Sequence, residues 1–464
     1  MLSFMRREPG FYKQTIALAV PIMLQNLITN SMGLLDTFMV GILGELPLAA
    51  VTLANTPCFV LILMTFGIQS GSSILISQNW GKRDLNAINR IMGMGFYAGG
   101  ALTLLFALIM FFFSQPFMSL FGNDAEVVAV AAQYGRIVGF SIFVDSFVQL
   151  YVAAHRSTEN PRLGLYILSV TVVCNTFLNW VLIFGKLGLP AMGVEGAALA
   201  TLLARCIGLI IVVAHACSGR RLPLQFKLLL RPGSVIARQF IRYATPVILN
   251  ETMWSLGTAM YTVVMGHMEG SKEILAAYAI AGNIDRVCTV AIFAVASTTA
   301  IIIGREIGAG RRETVYDVGA CLSFLSVAVG AVLSVVFLIV LKLVISPYLY
   351  PIFGLSPEAE SISTMFLTVI FATLAMRSFN TTNIVGVLRG GGDVRASTII
   401  DIVPLWCVSV PLTALVGLVF HMNITWVYLA TLSESIVKTV WGQKRFLSAE
   451  WIHDLTITSY QKED

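Results

Sequence analysis

The amino-acid sequence predicts an all-α integral membrane protein with twelve transmembrane helices, arranged as two six-helix lobes related by a parallel internal repeat. Three observations support this prediction: an apolar composition, a succession of long uncharged stretches, and Lys and Arg residues concentrated on one side. Of the 464 residues, 57% are hydrophobic and only 12% are charged, whereas soluble proteins carry about 25% charged residues. The net charge of +5 is too small and scattered for a nucleic-acid surface, so we expect a lipid bilayer and no nucleic acid as partners.

The uncharged stretches are long enough to cross a bilayer, whose apolar core of about 30 Å needs roughly 20 helical residues. A chain inside lipid must satisfy its backbone hydrogen bonds internally, so each stretch is expected to be a helix. The first stretch is too long for a cleaved signal segment and is interpreted as a retained helix. The predicted spans are 14–41, 47–79, 91–113, 127–153, 163–185, 193–215, 239–267, 274–304, 316–341, 359–387, 396–420 and 424–443.

Basic residues orient these helices, because Lys and Arg accumulate in the cytoplasmic loops of membrane proteins. With both termini inside, we assign 23 Lys and Arg residues to the cytoplasmic side. They include Arg389 and, near the cytoplasmic ends of their spans, Arg242 and Lys438, and 4 other basic residues fall within spans. Only Lys186, Lys272 and Lys342 lie outside. We therefore predict a multi-pass protein of the cell membrane with both termini in the cytoplasm.

The longest polar connection, residues 216–238, separates the first six helices from the last six. It is rich in Arg and Lys, which is typical of a cytoplasmic segment. The sequence therefore predicts an N-terminal lobe over residues 1–215, a linker over 216–238, and a C-terminal lobe over 239–464 that ends in a short cytoplasmic tail.

The two halves repeat a series of landmarks in the same order, at an offset that drifts slowly from 225 to 233 residues. Because six helices is an even number, both copies enter the membrane from the same side, which makes the repeat parallel. Such repeats place two bundles around an axis along the membrane normal, with the solute path between them. The matching landmarks are Pro21 and Pro246, Leu48-Ala49-Ala50 and Leu275-Ala276-Ala277, Gly81-Lys82-Arg83-Asp84 and Gly310-Arg311-Arg312-Glu313, and Arg156 and Arg389.

Six short strings follow one another in order along the whole chain: Pro21-Ile22-Met23-Leu24-Gln25, Asp36-Thr37-Phe38-Met39-Val40-Gly41, Leu48-Ala49-Ala50-Val51, Asn175-Thr176-Phe177-Leu178-Asn179, Gly193-Val194-Glu195-Gly196-Ala197-Ala198 and Val387-Leu388-Arg389-Gly390-Gly391-Gly392-Asp393. In their order and spacing they resemble the multidrug and toxic compound extrusion (MATE) transporters. This resemblance implies twelve helices in two lobes and the export of organic, often cationic, compounds in exchange for Na⁺ or H⁺.

Charged side chains within the spans are the candidate functional residues, because a charge at mid-bilayer costs about 2.5–3.5 kcal/mol on insertion scales and needs a partner, water or a role. The acidic candidates are Asp36, Asp145, Glu251, Asp285, Asp401 and Glu434, and the basic ones are Arg136, Arg205, Arg286 and Arg377.

In the N-terminal lobe, Asp36 is the main candidate for a cation or proton site. Asn175 and Asn179 are spaced i,i+4 and therefore share one helix face, and their amides offer oxygen ligands beside a carboxylate. The resemblance implies an acid at the position of Asp36, and often a second acid where this chain has Asn179. Asp145 is either another site in this lobe or a partner for Arg136 or Arg205.

In the C-terminal lobe, Glu251 is placed near mid-bilayer, five residues after a proline that can open the backbone. The resemblance implies that a glutamate here works with an aspartate on helix 10, but this chain has Arg377, Asn380 and Asn383 in that region. Arg377 needs a carboxylate partner, for which Asp401 is the first expectation and Glu251 and Asp285 are the alternatives. A structural ion pair and a coupling role both remain open for Asp285, Arg377, Asn380 and Asp401.

The functional prediction is a secondary active antiporter that exports organic, cationic or amphipathic compounds by alternating access, as a monomer. Its alternative is a flippase for a lipid-linked head group. The sequence contains no compact catalytic set, paired-cysteine motif or metal-ligand spacing, so we expect no enzyme activity, no metal site and no cofactor. The coupling ion is H⁺ or Na⁺, and the partner is a small-molecule substrate.

Overall fold

The structure is a computed structural model, and it describes residues 7–219, 222–353 and 355–456. In these ranges the chain is helical, with one isolated β-bridge between Gly392 and Ile452 and no strands. The fold is therefore that of an all-α membrane protein, as the composition predicts.

Twelve long helical segments follow one another along the described chain. We number them α1 Pro9–Gly41, α2 Glu45–Lys82, α3 Leu85–Phe112, α4 Ala125–Ser157, α5 Pro161–Phe184, α6 Gly193–Cys217, α7 Ser234–Gly266, α8 Ser271–Gly308, α9 Arg312–Leu349, α10 Pro357–Ala372 with Leu374–Arg389, α11 Val394–Val419, and α12 Ile424–Thr431 with Ser433–Leu447. Three short helices of the described chain lie between them: Ser114–Met118, Phe226–Leu230 and Tyr350–Phe353.

Each predicted span overlaps one of these helices, and most of the helices are longer than the span. Among the described residues, nine are individually long and apolar enough to cross a membrane, and α10, taken as one bent span, makes ten. The other two, α7 and α12, are long but more polar, since they carry several charged residues. The count of twelve crossings stays a prediction.

Helices α9, α10 and α11 depart from regular α-helical geometry. The two parts of α10 are bent by 53° at Thr373, and π-helical turns occupy Leu341–Leu349 in α9, Thr382–Arg389 in α10, and Leu405–Ser409 and Leu415–Val419 in α11. A π-turn changes the helical register locally and is frequent at functional sites. The lengths of the uncharged stretches in the sequence do not indicate this bend or these π-helical turns.

Contacts divide the chain into two units, one of residues 20–249 and one of residues 7–19 with 250–456. We call them the N-unit and the C-unit. A core cluster that includes Val40, Met110 and Ile142 lies within the N-unit. The C-unit contains two clusters, one around Phe366 and one around Trp451. The division falls inside α1 and α7, whereas the sequence-predicted lobe boundaries at 215 and 238 stay a prediction.

Close helix packing in the N-unit depends on two glycines one turn apart on α2. A Cβ atom on Gly67 would lie 2.7 Å from the Ile248 Cα atom, and one on Gly71 would lie 2.6 Å from the Ala244 Cα atom. Both distances are shorter than side chains allow, so only glycine lets α2 approach the first half of α7 this closely.

The glycine-rich sequence between α10 and α11 forms a turn, as predicted, and the segment after α12 packs against it. The His453 amide donates to the Gly391 carbonyl at 2.8 Å. Trp451 is fully buried, and its indole donates to the Phe446 carbonyl at 3.0 Å. Gly392 has a φ of +94°, which favours glycine. The C-terminal segment is thereby held to the C-unit.

Candidate functional site

A line of hydrogen bonds in the N-unit joins the predicted residues Asp36, Asn175 and Asn179. The Asn179 Nδ2 atom donates to Asp36 Oδ1 at 2.6 Å and to Asn175 Oδ1 at 3.3 Å. Asn175 Nδ2 donates in turn to the Thr201 hydroxyl of α6 at 3.3 Å. Three helices, α1, α5 and α6, therefore supply one polar site, of which sequence reasoning missed only Thr201.

The hydrogen-bonded site of Asp36, Asn175 and Asn179 can bind an additional cation or proton. Asn175 and Asn179 are fully buried, and the Asn179 Oδ1 atom accepts no hydrogen bond within the described residues. In the same part of the chain, Asp36 forms no ion pair with Lys or Arg. A carboxylate with amides and without a cation is a group that a proton or a small cation can neutralise.

Asp145 in α4 lies beside Arg205 in α6, one of the two partners that the sequence left open. The Arg205 Nη1 atom is 4.0 Å from Asp145 Oδ2 and donates to the Ser141 hydroxyl at 3.3 Å. Arg136 instead donates to Ser114. Asp145 therefore belongs to an ion pair of its own rather than to the Asp36 line.

In the C-unit, Glu251 of α7 is paired with Arg389 of α10. The Arg389 Nη1 atom is 3.0 Å from Glu251 Oε1, and only 1% of the arginine is exposed. The sequence-based count placed Arg389 among the charges of the cytoplasmic segments, whereas the structure shows this side chain buried and paired with Glu251. Its position beyond the end of an apolar stretch gave no sign that the helix continues with Arg389 facing inward.

Asp401 of α11 is paired with Lys438 of α12, not with Arg377. The Lys438 ammonium lies 2.8 Å from Asp401 Oδ1 and 3.1 Å from Glu434 Oε2, and 8% of the lysine side chain is exposed. The Asn250 Nδ2 atom donates to the other Asp401 oxygen at 2.9 Å. Lys438 was also counted as cytoplasmic, although it falls inside the predicted span 424–443 and four residues after Glu434.

Arg377 of α10 binds Asp285 of α8 through two parallel hydrogen bonds, of 2.7 and 2.8 Å. The expected pairing of Arg377 with Asp401 is therefore wrong, and the alternative with Asp285 is confirmed. Sequence position could not decide this choice, because it does not say which helix faces meet. The bidentate geometry is the strongest form of an arginine–carboxylate contact.

Asn380, one turn after Arg377, joins α10 to α12. Its Nδ2 atom donates to the Ser435 carbonyl at 2.8 Å, and its Oδ1 atom accepts from the Thr439 hydroxyl at 2.9 Å. Both functional atoms are thus engaged in helix packing, which assigns Asn380 a structural role.

The two units therefore differ in their chemistry. In the N-unit, Asp36 has amide partners and no cation, whereas in the C-unit the carboxylates of Glu251, Asp285 and Asp401 each have a cationic partner. Across the described residues, no group of three or more His, Cys, Asp or Glu side chains is arranged to hold a metal ion. The geometry is that of buried charges which can exchange partners, protons or small cations.

The family model described as MatE matches residues 21–181 and 246–415, which together make up more than half of the chain. The two matched segments correspond to the two halves of the internal repeat.

Curated relatives are similar over nearly the whole length. The chain is 24% identical to a probable multidrug resistance protein NorM of Thermotoga maritima, with 96% of this chain and 94% of that protein covered. It is 23% identical to the uncharacterized transporter YisQ of Bacillus subtilis, with 94% of each chain covered.

Solved structures share the fold. An outward-facing multidrug resistance MATE family transporter of the MOP superfamily superposes with a TM-score of 0.83 at 18% identity, covering 97% of this chain and 98% of that one. The Vibrio cholerae MATE transporter VcmN, in its bent form, gives 0.83 at 20% identity, with 95% and 98% covered. The protein therefore belongs to the MatE family, the multidrug and toxic compound extrusion transporters.

Proposed function

We propose that this protein is a secondary active antiporter that exports organic, cationic or amphipathic compounds in exchange for H⁺ or Na⁺ by alternating access. Family membership supports a transporter rather than an enzyme. The printed names of several relatives, such as the NorM protein of Thermotoga maritima, support multidrug export rather than the flipping of a lipid head group. The substrate class is part of the proposal.

The observation that supports ion coupling most directly is the Asp36 site. The Asp36 carboxylate lies beside the amides of Asn175 and Asn179 and has no ion-pair partner in the described chain. The buried Asn179 Oδ1 atom accepts no hydrogen bond there and can therefore bind a donor or a cation. An intramembrane acid of this kind binds a positive charge more readily than one already paired with Arg or Lys. Asp36 is therefore the proposed coupling residue of the N-unit.

Of the two ions we favour H⁺. Bare Na⁺ prefers several oxygen ligands, whereas the atom directed at Asp36 Oδ1 is an amide nitrogen, the Asn179 Nδ2 donor. In the C-unit, Glu251 is the proposed coupling carboxylate, and it contacts the Arg389 guanidinium rather than the helix 10 aspartate that the resemblance implies. The partner of Glu251 is thus a cation and not a second oxygen ligand for Na⁺.

The proposal is tested with purified protein in proteoliposomes loaded with a fluorescent organic cation. Efflux is measured separately under an imposed H⁺ gradient at constant Na⁺ and under an imposed Na⁺ gradient at constant pH. We expect efflux to follow the H⁺ gradient. Efflux that follows only Na⁺ would overturn the choice of ion, and efflux that ignores both gradients would overturn antiport.

We further propose that both termini lie in the cytoplasm and that the monomer transports. The orientation rests on the asymmetry of Lys and Arg between the two sides. Arg389 and Lys438 are buried and no longer count toward this asymmetry, but the many remaining loop charges preserve it.

A further inference from the structure

Five ionisable side chains in the C-unit form a connected chain of charges. Arg389 contacts Glu251, and Lys438 contacts both Asp401 and Glu434. The two parts meet at α7 and α11, where Asn250, the residue before Glu251, donates to Asp401. Three carboxylates therefore share two cations, which leaves one negative charge in excess.

The surroundings do not remove this excess. Arg377 acts electrostatically on Glu434, but it is already bound by Asp285 through two hydrogen bonds, so this pair adds no net charge. The other ionisable groups that face Glu434 are the phenols of Tyr261 and Tyr278, which are neutral at physiological pH. Burying an uncompensated carboxylate costs several kcal/mol.

Of the three carboxylates, Glu434 has the weakest contact with a cation. Glu251 accepts directly from the Arg389 guanidinium, and Asp401 accepts a hydrogen bond on each oxygen, from Lys438 and from Asn250. Within the described residues Glu434 pairs with Lys438 alone, at the longer of the two lysine distances. The excess charge is therefore concentrated at Glu434.

The chemistry of the site selects a proton over a metal cation. The Lys438 ammonium already occupies the space between the two carboxylates, and the Asn250 amide nitrogen occupies the remaining Asp401 oxygen. In addition, Asn250 is 1% exposed and its Oδ1 atom accepts no hydrogen bond within the described chain. The cluster therefore lacks one positive charge and contains one buried acceptor without a donor.

From this arrangement we propose that Glu434 binds one exchangeable proton, and that it forms with Asp401 and Lys438 a second proton-coupling site in the C-unit. The proposal deepens the proposed antiport function and rests on it. When Glu434 is protonated, Lys438 is held by Asp401 alone. When Glu434 releases the proton, its carboxylate competes for Lys438 and weakens the contact between α11 and α12. Proton binding thus changes how these two helices are joined.

The test is infrared difference spectroscopy of the full-length protein in lipid nanodiscs, titrated through pH, with the carbonyl band of buried protonated carboxyl groups as readout. All samples carry Asp36→Asn together with Glu251→Gln and Arg389→Gln, so that neither the N-unit nor the Glu251–Arg389 pair contributes and the excess of one negative charge is kept. We expect this reference protein to show one titrating band. Glu434→Gln should remove the band, and Glu434→Asp should keep it but shift its frequency, whereas Glu45→Gln, at an exposed position, should leave the band unchanged.

Charge counting gives a second arm that remains useful if Glu434→Gln does not fold. Lys438→Met raises the excess to two negative charges and should double the band intensity. Glu434→Gln combined with Lys438→Met restores an excess of one and should return the intensity to the reference level.

A band that survives Glu434→Gln at full intensity, or that does not grow in Lys438→Met, would overturn the site. These readouts need no transport. The expected band pattern, together with a wild-type protein that shows no gradient-driven efflux, would therefore refute the proposed function and leave the proton site standing. Wild-type efflux that follows the H⁺ gradient without the expected band pattern would do the opposite.

Discussion

At the scale of single residues, Asp36 is distinguished from the acids of the C-unit by the absence of a cationic partner within the described chain. Asp36→Asn keeps the shape of the side chain and its ability to accept the hydrogen bond from Asn179, so we expect the protein to fold and to bind substrate normally. Gradient-driven efflux should fall at least about tenfold, because the coupling charge is lost. Proteoliposome efflux and equilibrium binding of the same fluorescent cation measure the two effects.

The matched control for Asp36→Asn is Glu45→Gln, which removes one negative charge from an exposed position at the start of α2. We expect this control to transport at the wild-type rate. Equal losses in both variants would show that overall charge, and not the Asp36 site, is responsible.

Glu251→Gln is expected to abolish gradient-driven efflux and also to destabilise the protein. The substitution leaves the Arg389 guanidinium buried without its carboxylate, and breaking a buried ion pair costs about 3–5 kcal/mol. Because 15% of the Glu251 side chain is exposed, we expect the lower end of that range. The thermal midpoint of the detergent-solubilised protein measures the loss.

The control is the double variant Glu251→Gln with Arg389→Gln, which removes both charges. Most of the lost stability should return, since no unpaired charge is left. A double variant that is less stable than the single one would contradict the ion-pair interpretation.

The Asp36 site of the N-unit could be predicted from the sequence, whereas the partner of Asp145 and the pairing within the C-unit could only partly be. The i,i+4 spacing of Asn175 and Asn179 fixes their common face, and the resemblance to the family implies an acid at the position of Asp36. For Arg377 three acids were available, and successive helix residues differ by 100° in direction, so one small rotation exchanges the partner. The sequence does not determine that rotation, and the structure selects Asp285.

At the scale of helices, the close contact between α2 and α7 makes the packing sensitive to a single added methyl group. Gly71→Ala would place a methyl group 2.6 Å from the Ala244 Cα atom, so the helix backbones must separate. We expect a loss of about 1–3 kcal/mol from overpacking, measured as a lower thermal midpoint.

Gly99→Ala in α3 provides the matched comparison, because a Cβ atom there meets nothing within 4 Å. Alanine is the better helix former by about 1 kcal/mol, so this variant should be as stable as the wild type or slightly more stable. Equal destabilisation by both substitutions would contradict the packing argument.

The existence and order of the helices followed from apolar length, but their irregular parts did not. The bend at Thr373 and the π-helical turns of α10 and α11 have no marker in hydropathy, since they depend on packing against neighbours. Lys438 had a local signal that could have been used: it lies inside a predicted span and four residues after Glu434. An i,i+4 acid–lysine pair within a membrane helix indicates a buried charge cluster.

At the scale of the whole molecule, we predict twelve crossings with both termini in the cytoplasm. Composition alone does not identify α7 and α12 as spans, because both helices are comparatively polar. The number of crossings therefore depends on whether these two helices cross the membrane. Reporter fusions should place Lys272, in the first turn of α8, outside the cell. A cytoplasmic reporter at Lys272 would show that α7 does not cross.

The internal repeat predicted two similar halves but not two similar sites. The landmarks that repeat are turns, prolines and loop charges, which fix helix positions. The site residues do not repeat: the position of Glu251 corresponds to Asn26 in the first half, and a polar amide cannot pair with a buried arginine as a carboxylate does. A duplicated scaffold therefore carries different charge chemistry in each copy.

The division of the chain into contact units also has a consequence for biosynthesis. Every described residue of the N-unit precedes Asn250, so the ribosome completes this part of the chain before residues 250–456 of the C-unit are made. The beginning of α1 is different, because Leu18 belongs to a core cluster with residues such as Val387 and Trp451. Domains generally fold as units in the order of synthesis. The beginning of α1 therefore gains its packing partners only after these C-unit residues have been synthesised, later than the rest of that helix.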